Sequence, residues 1–311
     1  MEAVASAPRS EERRGVLFGI AAYSMWGLFP LYFPLLEPAG AVEIVAHRIV
    51  WSLAAVLGIL ALTVGFGTLR VLLTDRRRLA LLALAAALVA VNWAVYIYAV
   101  NSEHVIEAAL GYFINPLVSV AFGLAFFRER LRPWQAAALV LGAVAVGVLT
   151  MDYGRLPWIA LTLAVTFGSY GMVKKIANVG AAESLAVETL VLLAPAAGLL
   201  IALEANGTGT FGHESAGHTA LLAAAGPVTA APLLCFAGAV TRIPLSVVGL
   251  LQYITPTLQF LVGLAIFGEE MPASRWIGFG LVWIALVVLT ADALRAAQRS
   301  RAEAPPEPVL A

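Results

Sequence analysis

The sequence predicts an all-α polytopic membrane protein: ten transmembrane helices arranged as two inverted five-helix repeats. Three observations lead to this fold class: the composition, ten long apolar runs, and a repeat with a spacing of 140 residues. The chain is 61% hydrophobic and 12% charged, whereas a soluble domain carries about 25% charged residues. Lipid is therefore expected to be the solvent for most of the chain.

Ten apolar runs are long enough to cross a bilayer, whose hydrocarbon core needs about 20 residues per helix. They lie at about residues 15–36, 43–66, 80–100, 105–127, 134–151, 156–173, 183–203, 219–240, 245–267 and 275–293. The first run has no evident cleavage site and is expected to be a retained span. What remains is short loops and two tails, without room for a separate soluble domain.

The repeat relates residues 107–134 to residues 249–276. A shift of 140 superimposes Leu110 on Leu250 and Pro116 on Pro256. The same shift aligns further pairs, among them Glu43 with Glu183. The predicted organisation is therefore a tail, two repeats on one plan and a second tail, at residues 1–14, 15–152, 153–294 and 295–311.

The basic residues predict the orientation. With the N-terminus inside and ten spans, Arg155 and Arg275 fall outside and Arg48 lies within a span, which leaves 16 of the 19 Lys and Arg residues on the cytoplasmic side. Both termini are thus expected to be cytoplasmic. Because five is odd, the two halves enter the membrane from opposite sides. Many secondary transporters have this architecture, with the solute site near the midplane; the alternative is a duplication that only enlarged a membrane protein.

Two ionisable residues are expected at similar depth near the outer face, Arg48 in the second span and Glu107 in the fourth. A charge in that position is expensive and marks a functional candidate. The alternative for Arg48 is a side chain that extends to the outer headgroups. In either case, we predict an ion pair between Arg48 and Glu107.

Two further residues are candidates for coupling. His47 lies one turn from Glu43 and can hydrogen-bond it, and it is either a proton-coupling group or a structural histidine. Glu188 occupies the position equivalent to Arg48 in the second half, with Lys174 or Lys175 as its expected partner. It is either a proton carrier or part of an inner-gate salt bridge.

Two X-Pro pairs, Asn115–Pro116 and Thr255–Pro256, mark the predicted solute site. Each proline is expected to free the carbonyl four residues earlier, at Tyr112 and Gln252. The alternative is two packing kinks. The candidate solute-binding residues are Tyr112, Asn115, Pro116, Gln252, Tyr253, Thr255, Pro256, Gln259, Trp26 and Asn92.

Other kinds of site find no support in the sequence. The four histidines lack metal-ligand spacing, and two of them, His213 and His218, fall in a predicted flexible loop at residues 204–218. There is no phosphate-binding loop, and the single Cys235 excludes an internal disulfide framework. No cofactor, metal or catalytic set is expected. A small-molecule substrate and membrane lipid are the expected partners, nucleic acid is not, and monomer and homodimer both stay open.

Several motifs resemble the drug/metabolite transporter superfamily, and within it the EamA-like transporters and their RarD subfamily. They are AAYSMWGLFPLYF at 21–33, EIVAHRIVWS at 43–52, NWAVYIYAVNSEHVIEAALGYFINPLVSV at 92–120 and PLLCFAGAVTRIPLSVVGLLQYITPTL at 232–258. The resemblance extends from about residue 15 to about residue 292. It implies ten helices, the cytoplasmic membrane of a bacterium, and permease activity. Members of the broader family export amino acids, other metabolites and drug-like compounds.

The expected function is transport of a small organic metabolite or drug-like compound by alternating access. Export is the expected direction, and proton coupling is a hypothesis. A non-transporting membrane scaffold or sensor is the alternative, followed by an intramembrane enzyme, for which no convergent catalytic groups are evident.

Overall fold

A computed structural model describes residues 7–63, 65–127 and 132–302, and the regular secondary structure in these ranges is entirely helical. Two 3-10 turns, Phe29–Leu31 and Phe33–Leu36, follow the first helix. The α-helices are α1 (Ala7–Gly27), α2 (Ala41–Leu62), α3 (Gly67–Thr74), α4 (Arg76–Asn101), α5 (Val105–Phe127), α6 (Pro133–Tyr153), α7 (Trp158–Ala177), α8 (Ala181–Ala205), α9 (Ala216–Val240), α10 (Leu245–Leu251), α11 (Ile254–Ala265) and α12 (Ala273–Ala302).

In these ranges, eight helical segments are long and apolar enough to cross a membrane, or nine if α1 is joined to the 3-10 turns across a 40° bend. The chain is therefore a multi-pass helical membrane protein, but the predicted count of ten spans is not reached. The predicted span at residues 156–173 is helical, as α7, but it is less apolar than the others. Its polar residues include Thr162, Thr166, Ser169 and Tyr170, and Lys174 and Lys175 lie in its last turn.

Proline interrupts two of the predicted spans. α1 ends at Gly27, and Pro30 and Pro34 are each the second residue of a 3-10 turn. The predicted span at 245–267 is split at Gln252 and Tyr253 into α10 and α11.

Pro256 does not act as predicted. It lies in the first turn of α11, where a missing N–H group is tolerated, and the carbonyl of Gln252 accepts a hydrogen bond from the Thr255 amide at 3.3 Å. The prediction that Pro256 frees this carbonyl is wrong, because the helix is already broken before the proline. Pro116, in contrast, lies inside the continuous helix α5.

Four pairs of helices begin 140 residues apart, at residues 41 and 181, 76 and 216, 105 and 245, and 133 and 273. The packing follows the same relation: α1 packs on α9 as α7 packs on α4, and α2 packs on α9 as α8 packs on α4. Helices of one half of the chain are thus packed against helices of the other half.

The chain divides into two compact units, and the boundary falls inside α5. The first unit comprises the residues up to Tyr112 together with Trp158–Glu270; the second comprises Phe113–Pro157 and the residues from Met271 onward. In the second unit α6 and α12 are antiparallel, with an ion pair at each end. Arg132 Nε lies 2.7 Å from Asp292 Oδ2, and Arg275 Nε lies 2.9 Å from Asp152 Oδ2.

In the first unit, α9 approaches α2 so closely that only glycine fits at position 226. A Cβ atom there would lie 2.2 Å from the backbone oxygen of Trp51. Lipid offers no hydrophobic drive for helix association, so close backbone approach at small residues supplies much of the packing energy.

We expect Gly226→Ala to destabilise the protein by about 3 kcal/mol, because the added methyl meets backbone, which cannot rotate away. Gly58→Ala is the matched control: Gly58 is exposed on α2 with open space around its Cβ position. Thermal unfolding in detergent measures both. A melting temperature of Gly226→Ala equal to that of Gly58→Ala would contradict the described packing.

Candidate functional site

Arg48 is buried at the centre of the first unit, with 4% of its surface exposed. Its guanidinium carbon lies 4.1 Å from the centroid of the Trp93 ring, and 5.3 and 5.8 Å from those of Phe29 and Phe33. The second turn of α2 thus places a cation among aromatic rings contributed by α4 and the two 3-10 turns. A cation over an aromatic face gains about 0.5–2 kcal/mol, less than the several kcal/mol that burial of a charge costs.

The hydrogen bond of Arg48 goes to a neutral partner. Its Nε donates to Thr229 Oγ1 on α9 at 2.7 Å, and Thr229 in turn donates to the Ala225 carbonyl. Its Nη1 is buried and has no acceptor among the described residues. The charge of Arg48 is therefore not neutralised by a carboxylate in this part of the chain.

The predicted ion pair between Arg48 and Glu107 is wrong. Glu107, 2% exposed, accepts a hydrogen bond from the Ile159 amide at 3.2 Å. This contact places the carboxylate at the N-terminus of α7, where free amides and the helix dipole favour a negative charge. Comparable depth was correctly inferred for neither partner's orientation, because depth does not determine the direction in which each helix presents its side chain.

A polar chain runs beside Arg48. The Tyr112 hydroxyl donates to Asn92 Oδ1 at 3.1 Å, and Asn92 Nδ2 donates to the Leu163 carbonyl and to Thr166 Oγ1 at 3.1 and 3.0 Å. Asn92 is 2% exposed, so these bonds satisfy an amide that would be costly to bury alone.

A second polar group joins this chain through an aromatic pair. Gln259 Nε2 donates to the Tyr96 hydroxyl at 2.8 Å and to the Trp26 carbonyl at 3.3 Å. The rings of Tyr96 and Tyr112 meet edge to face, with centroids 5.7 Å apart. Gln259 Oε1 is buried with no hydrogen-bond partner among the described residues.

We call the set formed by Arg48, Asn92, Trp93, Tyr96, Tyr112, Thr229 and Gln259 the central polar cluster. Three predicted site residues, Asn92, Tyr112 and Gln259, belong to it. Two more lie beside it, since Trp26 provides the carbonyl that holds Gln259, and Thr255 donates to the Tyr23 carbonyl at 2.8 Å. The structure thus brings half of the predicted solute-binding residues together.

The remaining predicted residues lie elsewhere. Gln252 and Tyr253 form the break between α10 and α11, and Pro256 follows it. Asn115 and Pro116 belong to the second compact unit. Asn115 Oδ1 is buried there and has no partner within the described ranges.

His47 does not bond to Glu43 as predicted. Its ring stacks on Phe211, with centroids 4.8 Å apart, and both ring nitrogens are buried without a partner in the described residues. Glu43 Oε1 instead accepts from the amide and the hydroxyl of Thr210, at 2.8 and 3.0 Å. The segment after α8 returns to α2 and takes the carboxylate away from the histidine.

The loop predicted to be flexible is therefore held down on α2. Thr210 is buried, and His218 lies in the first turn of α9 with 7% of its surface exposed. His218 Nε2 is 2.9 Å from the Leu36 carbonyl. The polar composition of the loop suggested mobility, but its Thr and His residues satisfy buried groups.

Glu188 has the partner that the sequence predicted. Lys174 Nζ lies 2.8 Å from its Oε1, and the hydroxyls of Ser184 and Tyr170 donate to the carboxylate at 2.6 and 3.1 Å. With 1% of its side chain exposed, this buried carboxylate has both a cation and neutral donors.

Sequence reasoning missed Thr229 and the aromatic residues of the 3-10 turns. Thr229 is the polar residue between Pro227 and Pro232 of α9, and that spacing was a usable signal. The repeated Phe-Pro of the 3-10 turns was interpreted only as a bend, although Phe29 and Phe33 lie next to Arg48.

Comparisons with known proteins agree with this arrangement. The family model of the EamA-like transporter family matches residues 13–151. The chain is 56% identical over 294 residues to Protein RarD of Streptomyces exfoliatus, covering 94% of this chain and 93% of that one. It is 42% identical over 287 residues to an uncharacterized transporter of Pseudomonas aeruginosa, with 92% and 96% covered.

More distant likenesses point the same way. Protein RarD of Escherichia coli K12 is 40% identical over 290 residues, covering 93% of this chain and 98% of the relative. A crystal structure of a protein that is 19% identical superposes with a TM-score of 0.58, covering 88% of this chain and 96% of the other, which shows a shared fold alone. The chain belongs to the EamA-like transporter family, within its RarD subfamily.

Proposed function

We propose that the chain is a permease that moves a small organic metabolite or drug-like compound, with the central polar cluster as its solute-binding site. The observation that carries the proposal is Arg48, a charged side chain that is 4% exposed and hydrogen-bonded to the neutral Thr229. An ionisable residue inside a membrane bundle is costly, and such residues mark substrate and ion pathways.

The position of the cluster supports the proposal. Its members lie on α2, α4, α5, α9 and α11, so both halves of the chain contribute to it. The broken helix pair α10–α11 carries Gln259, and discontinuous helices are typical of transporter binding sites. Gln252, Tyr253 and Pro256 at the break, and Asn115 and Pro116 on α5, are proposed to complete the solute path.

The repeat supports alternating access. The helix pairs that start 140 residues apart and the exchanged packing of α1, α2, α7 and α8 fit two halves with one plan. We propose ten spans, with α7 and the bent first segment each crossing the membrane, so that the halves are inverted. The proposed direction is export, with Glu188 or His47 as the group that couples transport to protons.

Substitution of Arg48 separates transport from stability. We expect Arg48→Met to raise the free energy of unfolding by about 1–4 kcal/mol, because it removes an unneutralised buried charge. The same variant is expected to reduce saturable solute flux in proteoliposomes below about a tenth of the wild-type value, in line with the loss of about 1.4 kcal/mol or more of binding. Arg77→Met, at an exposed position in the first turn of α4, is the matched control.

The flux assay uses a labelled panel of amino acids, aromatic acids and neutral aromatic amides, with and without a pH gradient. The absence of wild-type flux for every member would favour a scaffold or sensor over a permease. Full flux by Arg48→Met would remove Arg48 from the solute site.

The buried pair Lys174–Glu188 should behave in the opposite way. We expect Lys174→Met to lower the free energy of unfolding by about 3–5 kcal/mol, since it leaves the Glu188 carboxylate buried without its cation. The double variant Lys174→Met/Glu188→Leu is expected to recover most of this loss. If Glu188 carries the coupling proton, the double variant transports solute without response to a pH gradient. Retained coupling there would move the role to another group, with His47→Gln as the next test.

The proposed location is the bacterial cytoplasmic membrane with both termini inside. In a Cys235→Ser background, we expect Glu214→Cys to react with a membrane-impermeant maleimide in intact cells. Arg77→Cys is expected to react only after permeabilisation. Both positions are exposed, so accessibility within the protein does not bias the comparison. The reverse labelling pattern would invert the proposed topology.

A further inference from the structure

The charge of Arg48 has no anionic neighbour in the described part of the chain. The ionisable groups that act on it electrostatically are the phenols of Tyr32, Tyr96 and Tyr112. Its one hydrogen bond in these ranges goes to the hydroxyl of Thr229, which is already fully used. A guanidinium stays charged in proteins, so this site is cationic and its counter-ion must come from outside the described residues.

Hydrogen-bond donors remain available around this cation. The phenol protons of Tyr32 and Tyr112 are donated to the Leu221 carbonyl and to Asn92. The Tyr96 oxygen accepts from Gln259, so its own O–H proton can be donated elsewhere. Arg48 Nη1 is likewise a buried donor without an acceptor in the described residues. The cluster therefore combines a positive charge with unused donors.

The second buried charge of the first unit provides the contrast. Glu188 lies at the position equivalent to Arg48 in the other half, and it has Lys174, Ser184 and Tyr170 as partners. The chain thus neutralises one of the two equivalent charges with its own side chains. Arg48 is surrounded by Trp93 and two phenylalanine rings instead.

We propose that Arg48 binds the carboxylate of the transported solute, and that the solute is an organic monoanion with an aromatic or apolar body. This inference rests on the proposed function. The planar guanidinium presents a fork of donors that matches a carboxylate. The neighbouring rings favour an apolar or aromatic body. A single buried cation matches a single negative charge, so that the complex enters the low-dielectric interior without net charge.

Binding of matched acids and amides to the purified full chain in detergent tests the proposal. The probes are benzoate, phenylacetate and 3-phenylpropanoate, each paired with its neutral amide, which has almost the same shape. We expect at least one acid to bind tenfold or more tightly than its amide. Arg48→Gln is expected to bind acid and amide equally, because glutamine keeps hydrogen-bonding groups without the charge. Arg48→Lys should keep part of the preference, and Arg77→Gln all of it.

Each outcome decides the proposal. Equal affinity for acids and amides in the wild type, a preference that survives in Arg48→Gln, or no binding by any of the six probes would overturn it. Unchanged amide affinity in Arg48→Gln shows that the site is still folded. If that variant does not fold, a reduced acid preference in Arg48→Lys takes its place, and an unchanged one overturns the proposal.

The result is distinguishable from failure of the proposed function. Saturable flux of neutral solutes with no preference for acids would leave a permease and overturn the monoanion inference. An Arg48-dependent acid preference in binding, without flux of any panel member, would leave an anion site and overturn the permease.

Discussion

The buried guanidinium of Arg48 is the constraint on which the centre of the first unit depends. Burial of a charge costs several kcal/mol, and the fold offsets this cost with the Trp93 face and one bond to Thr229. These contacts require α2, α4 and α9 to approach closely. Gly226, whose Cα lies against the backbone of Trp51, permits that approach three residues before Thr229. Packing and polar chemistry are therefore set by the same pair of helices.

The equivalent charge in the second half shows how two copies of one plan have diverged. Glu188 is neutralised within the chain by Lys174 and two hydroxyls. Arg48 has only a neutral hydrogen-bond partner among the described residues. A buried pair that is internally complete fixes a local structure, whereas a cation without a carboxylate gains from an anion that enters. The asymmetry separates a structural or coupling group from a group suited to a solute.

The sequence predicted what depends on composition and local spacing. Lipid solvation, most spans and the Lys174–Glu188 pair followed from apolar runs and from a lysine just beyond a predicted span. The Arg48–Glu107 pair failed because depth along a helix does not fix the direction of its side chains: Glu107 meets the start of α7. The contact of Glu43 with Thr210 spans 167 residues, and no local pattern indicates such a pairing.

Two single hydrogen bonds join the halves of the chain inside the cluster, Arg48 to Thr229 and Gln259 to Tyr96. In each, one partner comes from the first half and the other from the second. Neither bond is an ion pair, so separating the partners costs about as much as one hydrogen bond each, roughly 0.5–3 kcal/mol. A bound carboxylate can offset that cost by taking the donors of Arg48. A solute that exchanges these contacts for its own can thereby shift the halves against each other, which is the differential binding that alternating access requires.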